Sequence, residues 1–349
     1  MRRNIFLSII LILLNCTSEN SNIKNSNKKS PLTSSEINIL AKATKFEDIF
    51  DKTSEIQLST GSDHAISLIT DIEIDTKGNY IIADGWQSKA VFIFNSKGDF
   101  IKELGQQGQG PGEYSTPESI DINSTGDIFV VDYSHKRINI YDSAYNFKNF
   151  LHCEPSVRHF IHLNQQDEIY MYNGALRPFR SNDFDTIYKY NQEGKKITTF
   201  ARFPQEVKEV KYMAGLNGMT ISKDGYIFEM NPLYYNIRKY TSAGEFVTAF
   251  SRKTDLFSIE TTRGEDAIIV YGPYYLEKGL IIAHVNKHLE FYDTEGNFFV
   301  GEIPFSQRII YTQGNMIFVE QWATEESDNL RNPKIIGYQL KVKSLPDAS

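Results

Sequence analysis

His152, Cys153, His159 and His162 form the densest group of metal-ligating side chains in the chain, the imidazole and thiolate chemistry that holds zinc. If Arg158 to Leu163 is a strand, His159 and His162 lie three residues apart and face opposite ways. Sharing one ion is then unfavourable, and both read as solvated or hydrogen-bonded histidines. Phosphate binding is the second chemistry to consider, at Gly105-Gln106-Gln107-Gly108-Gln109-Gly110-Pro111-Gly112-Glu113-Tyr114. That stretch lacks a Lys-Ser/Thr ending and opens no helix, so its glycines are expected to serve backbone bends in a connector. Asp84 and Asp132 recur with Lys89, Arg137 and Arg238 at matched positions, the pattern of acids and bases that close structural loops. No Gly-x-Ser-x-Gly nucleophile elbow occurs. On these grounds no catalytic residue, metal ligand or cofactor is assigned.

The elements that must carry any site follow from a repeated cassette: an apolar run, a tight turn, a second apolar run ending in an acid, a loop, and a third run ending in Tyr or Phe. Asp71-Ile72-Glu73-Ile74 through Asp84 and Ile120-Asp121-Ile122 through Asp132 show it plainly. Its turn position returns at Gly78, Gly126, Asp167, Gly225, Gly279 and Gly314, with spacings of 48, 41, 58, 54 and 35 residues. Such spacings suit four-stranded propeller blades better than solenoid repeats. Helix-period patterns are scarce, and Gly, Tyr, Phe and Ile dominate the cassettes, so the fold class is all-β: a six-bladed β-propeller with four-stranded antiparallel blades.

In blade two, strands A to D are Ser119 to Ile122, Ile128 to Asp132, Arg137 to Tyr141 and Phe147 to Leu151. The sixth blade has three strands, Arg308 to Tyr311, Met316 to Gln321 and Ile335 to Val342. Glu55 to Ser59 is expected to supply the fourth, so that an N-terminal strand closes the ring. Antiparallel pairing puts the A-to-B and C-to-D turns on one face and the B-to-C and D-to-A loops on the other. Variable loops on a rigid frame carry function, which favours the second face. Trp86, Tyr133, His135, Arg177, Phe179, Arg180, Tyr234, Tyr235 and Trp322 fall in its B-to-C loops. Aromatics and Arg supply contact area with directional bonds, so Trp86, Tyr133, His135, Arg177, Arg180, Tyr234 and Trp322 are taken as ligand-binding candidates. Packing between blades is the alternative for several of them, the paired tyrosines above all.

Residues 1–15 read as a signal peptide: Arg2 and Arg3 precede an apolar stretch, Ile5 to Leu14, too short to span a bilayer. Leu13-Leu14-Asn15-Cys16 resembles the lipobox of bacterial lipoproteins, which implies that Cys16 is the acylated first residue. Residues 16–35 are polar and expected to be a tether, leaving 36–349 as the propeller. With Cys16 acylated, Cys153 has no partner for an internal disulfide and reads as a buried thiol. Net charge is −7 with both signs interspersed, which excludes the clustered cationic footprint of a nucleic-acid binder.

The Gly105 to Tyr114 stretch followed by Pro117 resembles the Gly-Pro-Gly-Glu connector of NHL-type six-bladed propellers. The nearest match is to the six-bladed propeller lipoproteins of Gram-negative anaerobes, over about Phe46 to Val342. That resemblance implies an extracytoplasmic lipoprotein in the cell envelope, expected at the outer membrane, facing the periplasm or the cell surface. Two similar enzyme groups keep other readings open. Amidating-lyase propellers place His ligands near the hub; His135 stands in a comparable loop, with Gln87, Asn236 and Asn286 at equivalent positions and His284 nearby. Lactonase-type propellers hold calcium at the hub with Asn, Asp and Glu. The expected function is a non-enzymatic binding module for a protein, peptide or glycan. A hub-metal hydrolase or lyase and an assembly scaffold for membrane partners are the alternatives.

Overall fold

A computed structural model describes residues 32–59, 65–153, 159–173, 185–202, 217–231, 234–257, 270–322 and 332–341. Six four-stranded antiparallel sheets surround a central channel, giving the six-bladed β-propeller. From hub to rim, blade one comprises Asp71–Ile74, Tyr80–Asp84, Ala90–Phe94 and Phe100–Glu103. Blade two comprises Pro117–Ile122, Ile128–Asp132, Arg137–Tyr141 and Phe147–His152. Blade three comprises His159–Leu163, Ile169–Asn173, Asp185–Tyr190 and Lys196–Arg202, and blade four Met219–Ile221, Ile227–Glu229, Ile237–Tyr240 and Phe246–Phe250. Blade five comprises Val270–Leu276, Leu280–Val285, His288–Asp293 and Phe298–Pro304. Blade six takes Arg308–Gln313, Met316–Gln321 and Lys334–Leu340 from the C-terminal end and Phe50–Gln57 from the N-terminal end.

All six cassette turn positions have left-handed backbone, from Asp167 at φ 56° to Gly126 at φ 84°. Five C-to-D turns use the same device, four through Gly and one through Tyr145 at φ 70°. An Asn, Asp, Ser or Thr opens most of these turns; Asn123 Oδ1, for example, accepts from the N–H groups of Thr125 and Asp127 at 3.1 and 2.8 Å. The two turn families share a face: Lys77 Nζ, in the A-to-B turn of blade one, donates to Ser143 O in the C-to-D turn of blade two at 2.5 Å.

The central strands of each blade are covered on both sides, and Tyr80–Asp84, Ala90–Phe94, Ile128–Asp132 and Arg137–Tyr141 are buried throughout. Each apolar cluster lies between two blades. Ile81, Val91 and Ile93 of blade one meet Ile120, Ile128 and Val130 of blade two, and Phe228 and Ile237 of blade four meet Ile281 and Tyr292 of blade five. A blade therefore buries its faces only against its neighbours, and the last interface requires ring closure.

Closure is by Phe50–Gln57, which pairs antiparallel with Lys334–Leu340 from Phe50↔Leu340 to Gln57↔Lys334. The closing strand thus starts five residues before the expected Glu55 and ends before Ser59. Helix α1 (Ser34–Ala41) and the single turn α2 (Phe46–Ile49) precede it. Thr33 and Glu36 form a capping box on α1. Phe46 stacks on Phe50 and also touches Phe305 and Tyr338, which ties the N-terminal segment to blades five and six. We expect Phe50→Ala to cost about 3–5 kcal/mol in urea denaturation, because it empties a fully buried aromatic site on the closing strand.

Candidate functional site

The innermost strands of all six blades enclose a channel of about 580 Å³. Asp71 and Glu73 alternate towards it, and His162, Arg308 and Tyr311 also line it, the last two on a strand whose register slips between Ile309 and Tyr311. Polar bonds at this hub join each blade to the next. Asp71 of blade one accepts from Ile120 N–H of blade two at 2.9 Å, and Asp121 of blade two accepts from Leu163 N–H of blade three at 2.5 Å. His162 Nε2 meets Asn217 Oδ1 at the entrance to blade four at 3.0 Å. Lys223 N–H of blade four bonds Tyr275 of blade five, and Tyr274 Oη donates to Ile309 O of blade six at 3.1 Å. Arg308 Nη2 returns to Ile69 O beside blade one at 3.0 Å, while its Nη1 holds Glu320 at 3.0 Å.

Asp71 and Glu73 line this channel, and Asp121 on the hub strand of blade two sits close enough for the three carboxyl groups to feel one another. Burial pushes Asp71 up to about 6 against the lowering effect of its bonds to Ser119 and Ile120, and pushes Asp121 up to about 7. Glu73 is raised well above the usual carboxylate range, first by burial and then by the charges of Asp121 and Asp71, even though Tyr311 bonds to it. Burial lowers His162 to about 4, so its imidazole is neutral at neutral pH. The channel therefore holds carboxyl groups that change charge near neutrality beside a tyrosine hydroxyl and an arginine. Asp71 and Asp121 spend acceptor sites on backbone N–H groups, and among the described residues no group of three or more His, Cys, Asp and Glu is arranged to hold a metal.

At the loop-face mouth, Asp84 is fully buried and accepts from Ser67 N–H at 2.6 Å, Trp86 N–H at 3.2 Å and Gln87 N–H at 3.3 Å. These bonds fix the loop that carries Trp86, whose indole is 62% exposed at the rim of the channel beside Leu68. The other sequence candidates are placed differently. His135 Nδ1 bonds Asp132 at 2.5 Å, and Asp132 also accepts from Ser115 and Thr116 N–H, so His135 belongs to a loop-closing set. Tyr133 and Tyr234 are half-buried, and neither lines the channel. Trp322 packs against the cluster between blades six and one. Tyr235 is buried and bonds Glu290 and Tyr292 of blade five. Arg177, Phe179, Arg180 and Cys16 lie outside the described residues.

Matched acid and base positions build loops, as their repetition suggests. Arg238 grips Glu229 through Nε and Nη2 at 2.7 Å each. Arg137 lies 3.8 Å from Asp132 and also holds the glycine-rich connector, donating to Gly110 O at 3.0 Å and Glu113 O at 2.6 Å. Within that connector Glu113 accepts from Gly110 N–H at 2.7 Å, so the loop supplies its own anion. A Cβ at Gly105 would meet Gly112 O at 2.6 Å, which explains the glycine there. The sequence reading passed over Asp71, Glu73, Asp121, Arg308 and Tyr311, although the alternation in Asp71-Ile72-Glu73-Ile74 marked acids on one face of a hub strand.

Fold and channel together define a six-bladed propeller with a polar hub. The chain belongs to the family described as a domain of unknown function, DUF4934, whose model matches residues 34–269. Comparison with curated sequences finds no match. Solved structures share the fold, among them the following three. A Bacteroides fragilis protein provisionally named as exported aligns at 13% identity and TM-score 0.57, covering 85% of this chain and 97% of its own. A DUF4221 member from Bacteroides vulgatus aligns at 9% identity and TM-score 0.56, covering 85% and 98%. A protein provisionally named a gluconolactonase aligns at 10% identity and TM-score 0.53, covering 87% and 98%.

The raised channel carboxyls set a pH dependence. Unfolded aspartates titrate near 3.9, so the contribution of Asp71 and Asp121 is fully present below about pH 4 and is lost as pH rises through about 6 to 7. Urea midpoints compared at pH 5 and pH 8 should show a smaller fall for Asp121→Asn than for the parent chain.

Proposed function

We propose that the chain is a lipid-anchored, extracytoplasmic propeller of the cell envelope, related to NHL-type lipoproteins, that binds a protein, peptide or glycan on its loop face over the channel mouth. The observation that carries this reading is Trp86, an exposed indole on a loop pinned by a buried aspartate at the edge of a polar cavity. An aromatic on a rigid mount contributes contact area with little ordering cost. Leu68 extends the apolar rim, and the channel carboxyls below it offer acceptors to amide, hydroxyl or ammonium groups entering from above. The envelope address draws on the signal-like residues 1–15 and on Cys16. No helix among the described residues is long and apolar enough to cross a membrane.

A hub hydrolase or lyase draws on a different observation, the carboxyl groups with values near neutrality. The two readings separate in one titration. Trp86 and Trp322 are the only tryptophans, and Trp322 is half-buried, so peptide and glycan panels can be screened by intrinsic fluorescence. Binding should shift Trp86 emission, Trp86→Phe should remove the signal, and Trp86→Ala should weaken affinity at least tenfold with little change in thermal midpoint. A ligand held with unchanged affinity by Trp86→Ala but lost in Glu73→Gln would contradict the loop-face reading and favour hub chemistry.

A further inference from the structure

We propose that the tight-turn face is the membrane-facing side of the propeller and rests on the lipid surface through an apolar sector under blades three, four and five, so that the loop face points away from the bilayer. The inference rests on the reading of Cys16 as the lipid anchor.

The first observation is where the chain enters the fold. Helix α1 packs on the tight-turn side, because Glu36 pairs with Lys278, a residue of the A-to-B turn of blade five, at 3.2 Å. Leu32 is buried in the same cluster as Leu276 and Leu280, which flank that turn. Lys341 N–H donates to Ile49 O at 2.9 Å just past the turn-face end of the closing ladder, which keeps the incoming segment on that side. Leu32 follows Cys16 by sixteen positions. A polar linker of that length has an r.m.s. reach of roughly 20–24 Å, close to the radius of gyration of about 19 Å expected for a domain of some 300 residues. Turning the loop face to the bilayer would place Leu32 on the far side of the disc from the lipid.

The second observation is where apolar side chains are exposed. Ile197, Phe246 and Phe298 lie within the first two residues of the outermost strands of blades three, four and five, directly after the C-to-D turns. Ile197 is 57% and Phe246 60% exposed, and Ile39 on α1 continues the sector next to blade five. Three consecutive blades and the entry helix thus present apolar groups on the side from which the anchor departs. Such groups bury readily at the headgroup boundary once a lipid chain holds the protein there.

The test uses the acylated full chain with one added cysteine, Phe298→Cys, Phe246→Cys or Trp86→Cys. Cys16 is blocked by acylation, and Cys153 is buried with its thiol pushed up to about 12, so only the new site takes a bimane label. In phosphatidylcholine vesicles carrying nitroxide lipids, labels at 298 and 246 should be quenched at least threefold more than the label at 86. Equal quenching, or more at 86, in protein that floats with the vesicles overturns the orientation and leaves the anchor intact. Protein that fails to float overturns the anchor and the orientation with it. Phe246→Ser/Phe298→Ser should lower quenching of a label at Ile197→Cys; an unchanged value counts against contact through this sector.

Discussion

The ladder between Phe50–Gln57 and Lys334–Leu340 joins the two ends of the chain, and the rest of the molecule depends on it. Each apolar cluster lies between blades rather than within one, so no blade has a complete core by itself. An open ring would expose the unpaired rim strand of blade six and one face each of blades six and one. The ladder removes both exposures, and Phe46 and Phe50 fill the space beneath it. At the hub, polar contacts running from each blade to the next set the stagger of the inner strands. Burying them is tolerable because the groups are bonded across the blade boundary, all but the His162–Asn217 pair through backbone.

That arrangement explains why the channel is polar. Inner strands pack their apolar residues between blades, and the alternate positions must point to the axis. Six strands converge there and bring acids and tyrosines together at half-buried positions. The raised values of Asp71, Glu73 and Asp121 are the electrostatic consequence. The loop face above is shaped by separate devices, in which buried Asp84 and Asp132 pin loops through backbone N–H groups and Arg137 straps the connector. The two meet at Ser67 to Ile69, where Asp84 holds Ser67 N–H and Arg308 holds Ile69 O.

Much of this was legible in the sequence. Six turn positions, read from Gly and Asp alone, all adopt left-handed backbone, because a tight hairpin leaves few alternatives. Ring closure followed from an incomplete last blade, though its boundaries did not: Phe50 to Ser54 carries Asp51, Lys52 and Thr53 on an exposed rim strand and gives little periodic signal. Channel residues stayed hidden for another reason. In Asp71-Ile72-Glu73-Ile74 a face open to solvent and a face turned to a channel look the same, since only tertiary convergence of six strands tells them apart. His135 is taken up by Asp132 three residues before it, and Tyr235 by Glu290 of the next blade, a partner whose proximity depends on blade stagger.

Native-state amide hydrogen exchange on Phe50–Gln57 and Lys334–Leu340 tests the closed ring most directly. If this ladder completes the core, both strands exchange with the same free energy of opening, and that value falls equally for both in Phe50→Ala. Exchange of Phe50–Gln57 near the unprotected rate, while Lys334–Leu340 and the blade interiors remain protected, would contradict it.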